Sequence, residues 1–373
     1  MPVRIVAAEA GTSGSNSAQA FPMNRPRPPL PGPRAIAAPS ARPPVFHLET
    51  TSAHFLLRTA ERWLPAPVFS LVLQLGVWVA VIIFREPRRH SRSYLTAILG
   101  RPPSWREIRR HFLTFAQMHL LRLVVTEGRE HHCRSLPDCR DFTALMESGR
   151  PALLGSFHVG NSDLLGFFLG RYRRRVQMVR YRLGDPANLR QLAAQRNAGV
   201  TFIWVNEKEN LLFALKQAVE SGESIAMKCD RVGYSAKLEA FVFLGVPRWF
   251  PFTIYHLGIM FQRPVTFCVS VPAEPGHSEV HGFPVFEPDA GTKEENLDRA
   301  RAHFQLVLRG VEALLRTNPY LWFNFTPLNP EASPGNSTAR PWPPAERSGA
   351  DSNPGGTKFN EDARKARTSH GVG

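Results

Sequence analysis

Two side chains in the segment "GSFHVGNSD" stand out for chemistry: His158 and, five positions later, Asp163, with Gly160 and Asn161 between them. An imidazole is the side chain best suited to take and return a proton near neutral pH. A carboxylate that accepts a hydrogen bond from one ring nitrogen fixes the tautomer and stabilises the imidazolium, leaving the other nitrogen to act as a base. The spacing places His158 at the end of a strand and Asp163 in the first turn of the following helix. Asp163 is therefore expected to orient His158. The amides of Gly160, Asn161 and Ser162 are expected to face developing negative charge at that helix start. Such a pair suits deprotonation of a hydroxyl that then attacks an acyl carbon, with activity rising with pH near or somewhat above 6.5. The spacing alone is a weak signal in a chain with 13 histidines, and a capped helix beside a packed histidine gives the same pattern.

The elements that would hold this corner follow from hydrophobic patterning. Apolar runs at 152–157, 176–181, 200–205, 224–229, 239–245 and 264–271 read as strands. Helices are expected near 162, from Asp185-Pro186 to Gly199, at 209–221 and at 252–261. Ser104 with Glu107 and Thr292 with Glu295 read as capping boxes that start two more helices. Leu297, Ala300, Phe304, Leu308, Val311 and Leu315 form the inner stripe of the second. His119 falls on the packed face of the first. Alternating strands and helices predict an α/β fold with a mixed sheet flanked by helices.

The chain of 373 residues carries a formal charge of +15, which points to anionic partners. Nucleic acid is not the expected partner, because no recognition-helix, zinc or RNA-binding signature appears and the basic residues are scattered. Residues 65–84, "PAPVFSLVLQLGVWVAVIIF", are almost wholly apolar and have arginines on both flanks. This predicts an N-terminal membrane-associating helix, lying in the interface or spanning it. The arginine run 171–175 reads as a solvated face or a contact for anionic lipid. Trp249, Phe250 and Phe252 read as an aromatic rim at the lipid interface. Cys133, Cys139, Cys229 and Cys268 do not form a disulfide framework. Cys133 follows His131 and His132 in what reads as a solvated linker, and no metal or cofactor is expected. The organisation is therefore a Pro-rich disordered tail (1–45), a membrane-associating helix with its basic flank (46–95), a catalytic domain (96–330) and a second disordered tail (331–373). A serine hydrolase is disfavoured, since no G-x-S-x-G elbow occurs.

Several ordered segments share a resemblance. "GSFHVGNSD", "VRYRLGDPANLRQLA", "AMKCDRVGYSAKLEAFVFLGVPRWFP", "QRPVTFCVSV" and "NPYLWFNFTPLNP" resemble, in order, the blocks of bacterial acyltransferases related to the lipid A lauroyl/myristoyl transferases. The resemblance covers roughly residues 50–330. It implies an acyltransferase-like fold and transfer of a fatty acyl group from an acyl carrier protein or coenzyme A thioester to a hydroxyl of a lipid acceptor. The implied location is the cytoplasmic side of a bacterial inner membrane. It also implies His158 as base, Asp163 as its partner, and Arg182 and Asp230 as substrate-binding or supporting positions; Gly160, Asn161 and Arg231, beside them in the sequence, are further candidate substrate contacts. The chain departs from the family in having Asp230-Arg231 where those enzymes usually carry Asp-Gln. That difference resembles a divergent branch associated with aryl-polyene or other polyketide lipids. The remaining alternative is a non-enzymatic basic protein that binds membrane or nucleic acid.

Overall fold

The computed structural model describes residues 51–126, 128–136, 139–170, 172–180, 199–205, 211–235, 237–274, 276–323 and 325–332. The expected tail 1–45, the helix expected at 185–199 except for Gly199, and Arg182 lie outside the described residues, as does the second tail beyond 332.

Among the described residues, four helices come first: α1 (Thr51–Trp63), α2 (Ala66–Ile83), α3 (Arg85–Leu99) and α4 (Trp105–Thr126). They lead into an α/β domain with β1 (His132–Ser135), α5 (Arg140–Glu147), β2 (Leu153–Ser156), α6 (Leu165–Gly170), β3 (Val176–Arg180), β4 (Val200–Trp204), α7 (Leu211–Glu220) and β5 (Ser224–Lys228). The hairpin β6 (Leu238–Phe243) and β7 (Val246–Pro251) follows, then α8 (Thr253–Phe261), β8 (Val265–Pro272), β9 (His277–Gly282) and α9 (Lys293–Thr317). Seven strands form one mixed sheet in the order β1-β9-β8-β2-β5-β3-β4, and β6 and β7 pair antiparallel by themselves. Among the described residues, only the β8/β9 junction of the large sheet is antiparallel.

β2 lies at the centre, so both its faces are covered and its sequence is apolar without alternation. Leu153, Ile225 and Phe267 pack on one face with α7, α8, α9, the β6–β7 hairpin and the start of α4. Leu154, Ala226 and Cys268 pack on the other with α5 and α6. Gly155 pairs with Phe267 on β8, and a Cβ at Gly155 would sit 2.2 Å from that phenyl ring. All six residues of the expected inner stripe of α9 are buried, and the Thr292/Glu295 capping box is formed. Ser104 and Glu107 also bond reciprocally at the start of α4.

Several expectations need correction. His132 and Cys133 belong to the edge strand β1 rather than a linker, and Cys133 is buried. Phe250 and Phe252 are buried in the main core, so they form no rim. Their neighbour Trp249 is half-buried on β7. Arg174 is buried too. It donates from Nη1 to the Arg150 carbonyl (2.6 Å) and Ser224 Oγ (2.9 Å), and from Nε to the Met146 carbonyl (3.1 Å), tying α5 to the sheet. Residues 77–98 contribute Val77, Val81, Tyr94, Leu95 and Ile98 to the same core as the sheet, so the boundary at 95/96 runs through one core. Glu331 and Ala332, expected in the second tail, are held on β7: the Ala332 amide donates to the Pro247 carbonyl and Glu331 pairs with Arg248.

α2 has two apolar faces. Phe69, Leu73, Val77 and Val81 recur at helical spacing and are half-buried or buried against the fold. Val68, Leu71, Val72, Leu75, Trp78, Val79, Ile82 and Ile83 are exposed. This 18-residue helix is apolar enough to cross a membrane by length and composition.

α4 is tied to the C-terminal segment by His111, which is buried. Its Nε2–H donates to the Trp322 carbonyl (2.8 Å), and its Nδ1 accepts from the Ser91 hydroxyl (2.8 Å). Burial pushes this imidazole down from 6.5 to about 4. Because the folded-state value lies below the unfolded one, the stability it contributes is present above pH 6.5 and is lost as pH falls through about 4. His111→Ala should lower unfolding free energy by roughly 1–3 kcal/mol for the orphaned partners. His111→Gln should flatten part of the acid-side loss in chemical denaturation measured between those pH values; an unchanged slope would contradict this role.

Candidate active site

β2 and β5 are adjacent and parallel, with Gly155 opposite Met227 and Ser156 opposite Lys228. His158 lies two residues beyond the end of β2, and Asp230 lies two residues beyond the end of β5. Equal overhang brings both to the same height. The Cys229 amide extends the ladder to the Ser156 carbonyl at 2.8 Å. Beyond this point the two chains part: β2 leads to α6 on one face of the sheet, and β5 leads to the β6–β7 hairpin on the other. The crevice between diverging chains at the carboxyl ends of parallel strands is where open α/β sheets place their ligand sites.

Asp230 is wholly buried and takes two hydrogen bonds from His158. Its Oδ1 lies 2.7 Å from His158 Nδ1, and its Oδ2 accepts the His158 amide at 2.8 Å. Burial alone would raise the Asp230 carboxyl, but His158 and Arg231 more than offset this and hold it below the usual carboxylate range. An ionised Asp230 has only acceptors, so Nδ1 carries the proton and Nε2 presents its lone pair. Among the described residues nothing hydrogen-bonds Nε2, and the His158 side chain is 21% exposed.

Asp163 does not play the expected part. Its Oδ1 accepts from Lys228 Nζ (2.8 Å) and its Oδ2 from Arg122 Nη1 (2.9 Å). Lys228 also donates to Ser162 Oγ (3.1 Å), and Arg122 Nη2 lies 2.9 Å from His119 Nδ1. Burial would raise the Asp163 carboxyl, yet Lys228, Arg122 and Arg180 hold it well below its ordinary range. Asp163 is thus the centre of a cationic cluster that anchors α4 to the site, and the orienting carboxylate is Asp230. Physically, three cationic neighbours outcompete one imidazole for the same carboxylate.

The loop amides also differ from expectation. The Gly160 amide donates to the Leu321 carbonyl (2.8 Å) and the Asn161 amide to the Ser270 carbonyl (2.7 Å), so neither faces the site as an oxyanion donor. Asn161 Nδ2 donates to Ser278 Oγ at 2.6 Å, fixing the loop on β9. Residues 162–164 form a single 3-10 turn before the six-residue α6, in place of one helix from 162. Gly160 has φ +51°, and a Cβ there would meet the Ser270 carbonyl oxygen at 2.2 Å. The loop is further clamped by the Phe323 amide, which donates to the His158 carbonyl at 2.7 Å.

Lys228 and Arg122 escaped the sequence reading. Lys228 was findable as the residue two before Asp230 on a strand whose end matches that of β2. Arg122 carried no local signal, since its role depends on how α4 crosses the sheet. Arg231 adds positive charge near the pair, and burial together with Lys228 and Arg231 pushes His158 below the ordinary histidine value despite Asp230. The cations Lys228, Arg122, Arg180 and Arg231 thus outnumber the carboxylates Asp163 and Asp230. The described residues contain no group of three or more His, Cys, Asp or Glu placed to hold a metal ion. No protein-family model matches the chain, and no curated protein does.

Gly160→Ala should be strongly destabilising, because it combines a left-handed backbone with a collision against backbone rather than a movable side chain. A loss of roughly 1–3 kcal/mol is expected in denaturant unfolding. Unchanged stability would mean that the loop does not hold this conformation in solution.

Proposed function

We propose that the chain is an O-acyltransferase in which His158 is the general base and Asp230 its orienting carboxylate. The observation that carries this reading is the double clasp of Asp230 on His158 Nδ1 and backbone amide, which leaves Nε2 as a partially exposed acceptor. The ordered blocks that resemble the lipid A lauroyl/myristoyl transferases supply the reaction class. They also supply the donor, an acyl carrier protein or coenzyme A thioester, and the acceptor, a lipid or glycolipid hydroxyl. The proposed setting is the cytoplasmic side of a bacterial inner membrane.

In this mechanism Nε2 takes the proton from the acceptor hydroxyl as its oxygen attacks the thioester carbonyl carbon. The resulting oxyanion develops in a site where cationic groups outnumber carboxylates. The tetrahedral intermediate then collapses, the carbon–sulfur bond breaks, and the imidazolium returns its proton to the departing thiolate. Asp230 holds the ring through both proton movements and stabilises its charged form. The same positive surplus favours an anionic substrate, such as one carrying phosphate.

Substitution separates the two carboxylates. Thioesters of defined chain length, offered with a total lipid extract, provide the assay. His158→Ala should reduce turnover by at least about 10²-fold. Asp230→Asn leaves one acceptor for two donors. If that oxygen keeps the His158 amide, the new NH2 group must donate to Nδ1, which moves the ring proton onto Nε2 and abolishes the base. A loss of roughly 10²–10⁴-fold in turnover is expected. Asp163→Asn leaves the tautomer intact and should act mainly on stability and on KM, through Lys228 and Arg122. Normal transfer by a folded His158→Ala protein would end the catalytic assignment; a larger turnover loss for Asp163→Asn than for Asp230→Asn would return the orienting role to Asp163.

The pH profile gives an independent check. With His158 lowered, the neutral base persists below pH 6.5, so kcat/KM should be level through neutrality and fall only on the acid side of that value. A half-maximum above pH 6.5 would contradict the arrangement.

A further inference from the structure

We infer that α2 lies in the plane of a single anionic lipid leaflet, with its outer stripe in the acyl chains, and does not cross the bilayer. A helix on a soluble surface presents a polar outer face, but α2 is apolar on the outer face as well as the inner one. Of its residues only Val77 and Val81 are fully buried. Eight large apolar side chains on one exposed helix form the kind of patch that marks an interaction surface.

Three observations identify lipid as the occupant and the membrane plane as the orientation. Mid-helix residues of α2 are attached to a charged side chain: the Arg109 guanidinium of α4 lies over the Trp78 ring, 5.5 Å from its centroid, and makes a long 3.4 Å contact with Gln74. If α2 crossed a bilayer, this arginine and the charged first turns of α4 would be carried to the hydrocarbon centre, where ionised groups are strongly disfavoured. An in-plane helix keeps Arg109 at headgroup depth.

The charge pattern agrees. Exposed arginines follow α2 at positions 85, 89 and 92, and Arg62 precedes it. Basic residues at both ends suit a helix whose ends meet the same anionic surface. Arg88 Nη1 donates to the Val81 (2.7 Å) and Ile82 (3.0 Å) carbonyls, so the end of α2 turns into the basic α3 without exposing those acceptors to hydrocarbon. Finally, Trp63, Trp78 and Trp105 are all exposed, and tryptophan favours the membrane–water boundary.

This inference shares only the membrane with the acyl-transfer reading, and its test uses no activity. The full-length chain, added to preformed phosphatidylcholine vesicles with and without phosphatidylglycerol, should float with the anionic vesicles. Leu71→Glu combined with Leu75→Glu should weaken partitioning by roughly tenfold or more. Orientation is read by impermeant maleimide labelling of Thr59→Cys and Ser93→Cys, one on each side of α2, in inverted and right-side-out membrane vesicles. The native cysteines give little background because all four are buried. Both sites should label in the same vesicle orientation. Labelling in opposite orientations would show a spanning helix and overturn the inference. So would failure of the full chain to float, whether a version lacking residues 1–50 floats or not, or a double variant that loses only self-association while vesicle binding persists.

Discussion

A carboxylate with no access to water stays ionised only when its oxygens are met by donors and positive charge. Asp230 takes its donors from one residue, His158, which supplies a ring nitrogen and a backbone amide to separate oxygens, and Arg231 adds positive charge nearby. The two-point contact leaves the imidazole little freedom to rotate. It also fixes the β2 and β5 loops to each other, so register, loop path and ring orientation are aspects of one interaction. A one-residue slip of β5 against β2 would remove Asp230 from reach and expose a buried charge. The surrounding apolar strands therefore have a narrow set of acceptable pairings.

The second organising element is α4, which runs between the apolar helices and the site. Arg109 meets α2, His111 holds the Trp322 carbonyl, and Arg122 reaches Asp163. From Arg109 to Arg122 the helix rises about 20 Å. Trp322 in turn bridges to Val159 beside the candidate base. A single rigid helix thus sets the distance between the exposed apolar face and His158, which matters if a lipid hydroxyl must be presented to Nε2 from a membrane surface.

Much of the fold was legible in the sequence because central strands buried on both faces leave long apolar runs, and because Ser104-Glu107 and Thr292-Glu295 mark helix starts locally. The edges were not. β1 reads "HCRS" and β9 "HSEVHG"; in β9 Ser278 occupies a buried position, so the alternation is present in space but absent in hydrophobicity. β7 was missed because its prolines and aromatics suggested an exposed rim, whereas pairing with β6 turns Phe250 inward. At the site, His158 was readable as a residue after a strand. Its partner was not, because sequence proximity favoured Asp163 while the parallel register favoured Asp230, 72 residues away. The cations that claim Asp163 come from α4 and β5, and no short motif contains them.

The pairing of Gly155 with Phe267 has a consequence for how the chain can change. The phenyl ring occupies the space a side chain at 155 would need, so any larger residue there requires a smaller one at 267. The reverse order is blocked as well, since trimming Phe267 first opens a hole among Phe157, Tyr255 and Phe304, whose rings surround it. The two positions behave as one heritable unit: each acceptable alternative is a double replacement separated from the present state by a less stable single one. In a set of divergent relatives they should therefore vary together or not at all, and the strand that carries the candidate base would inherit that rigidity.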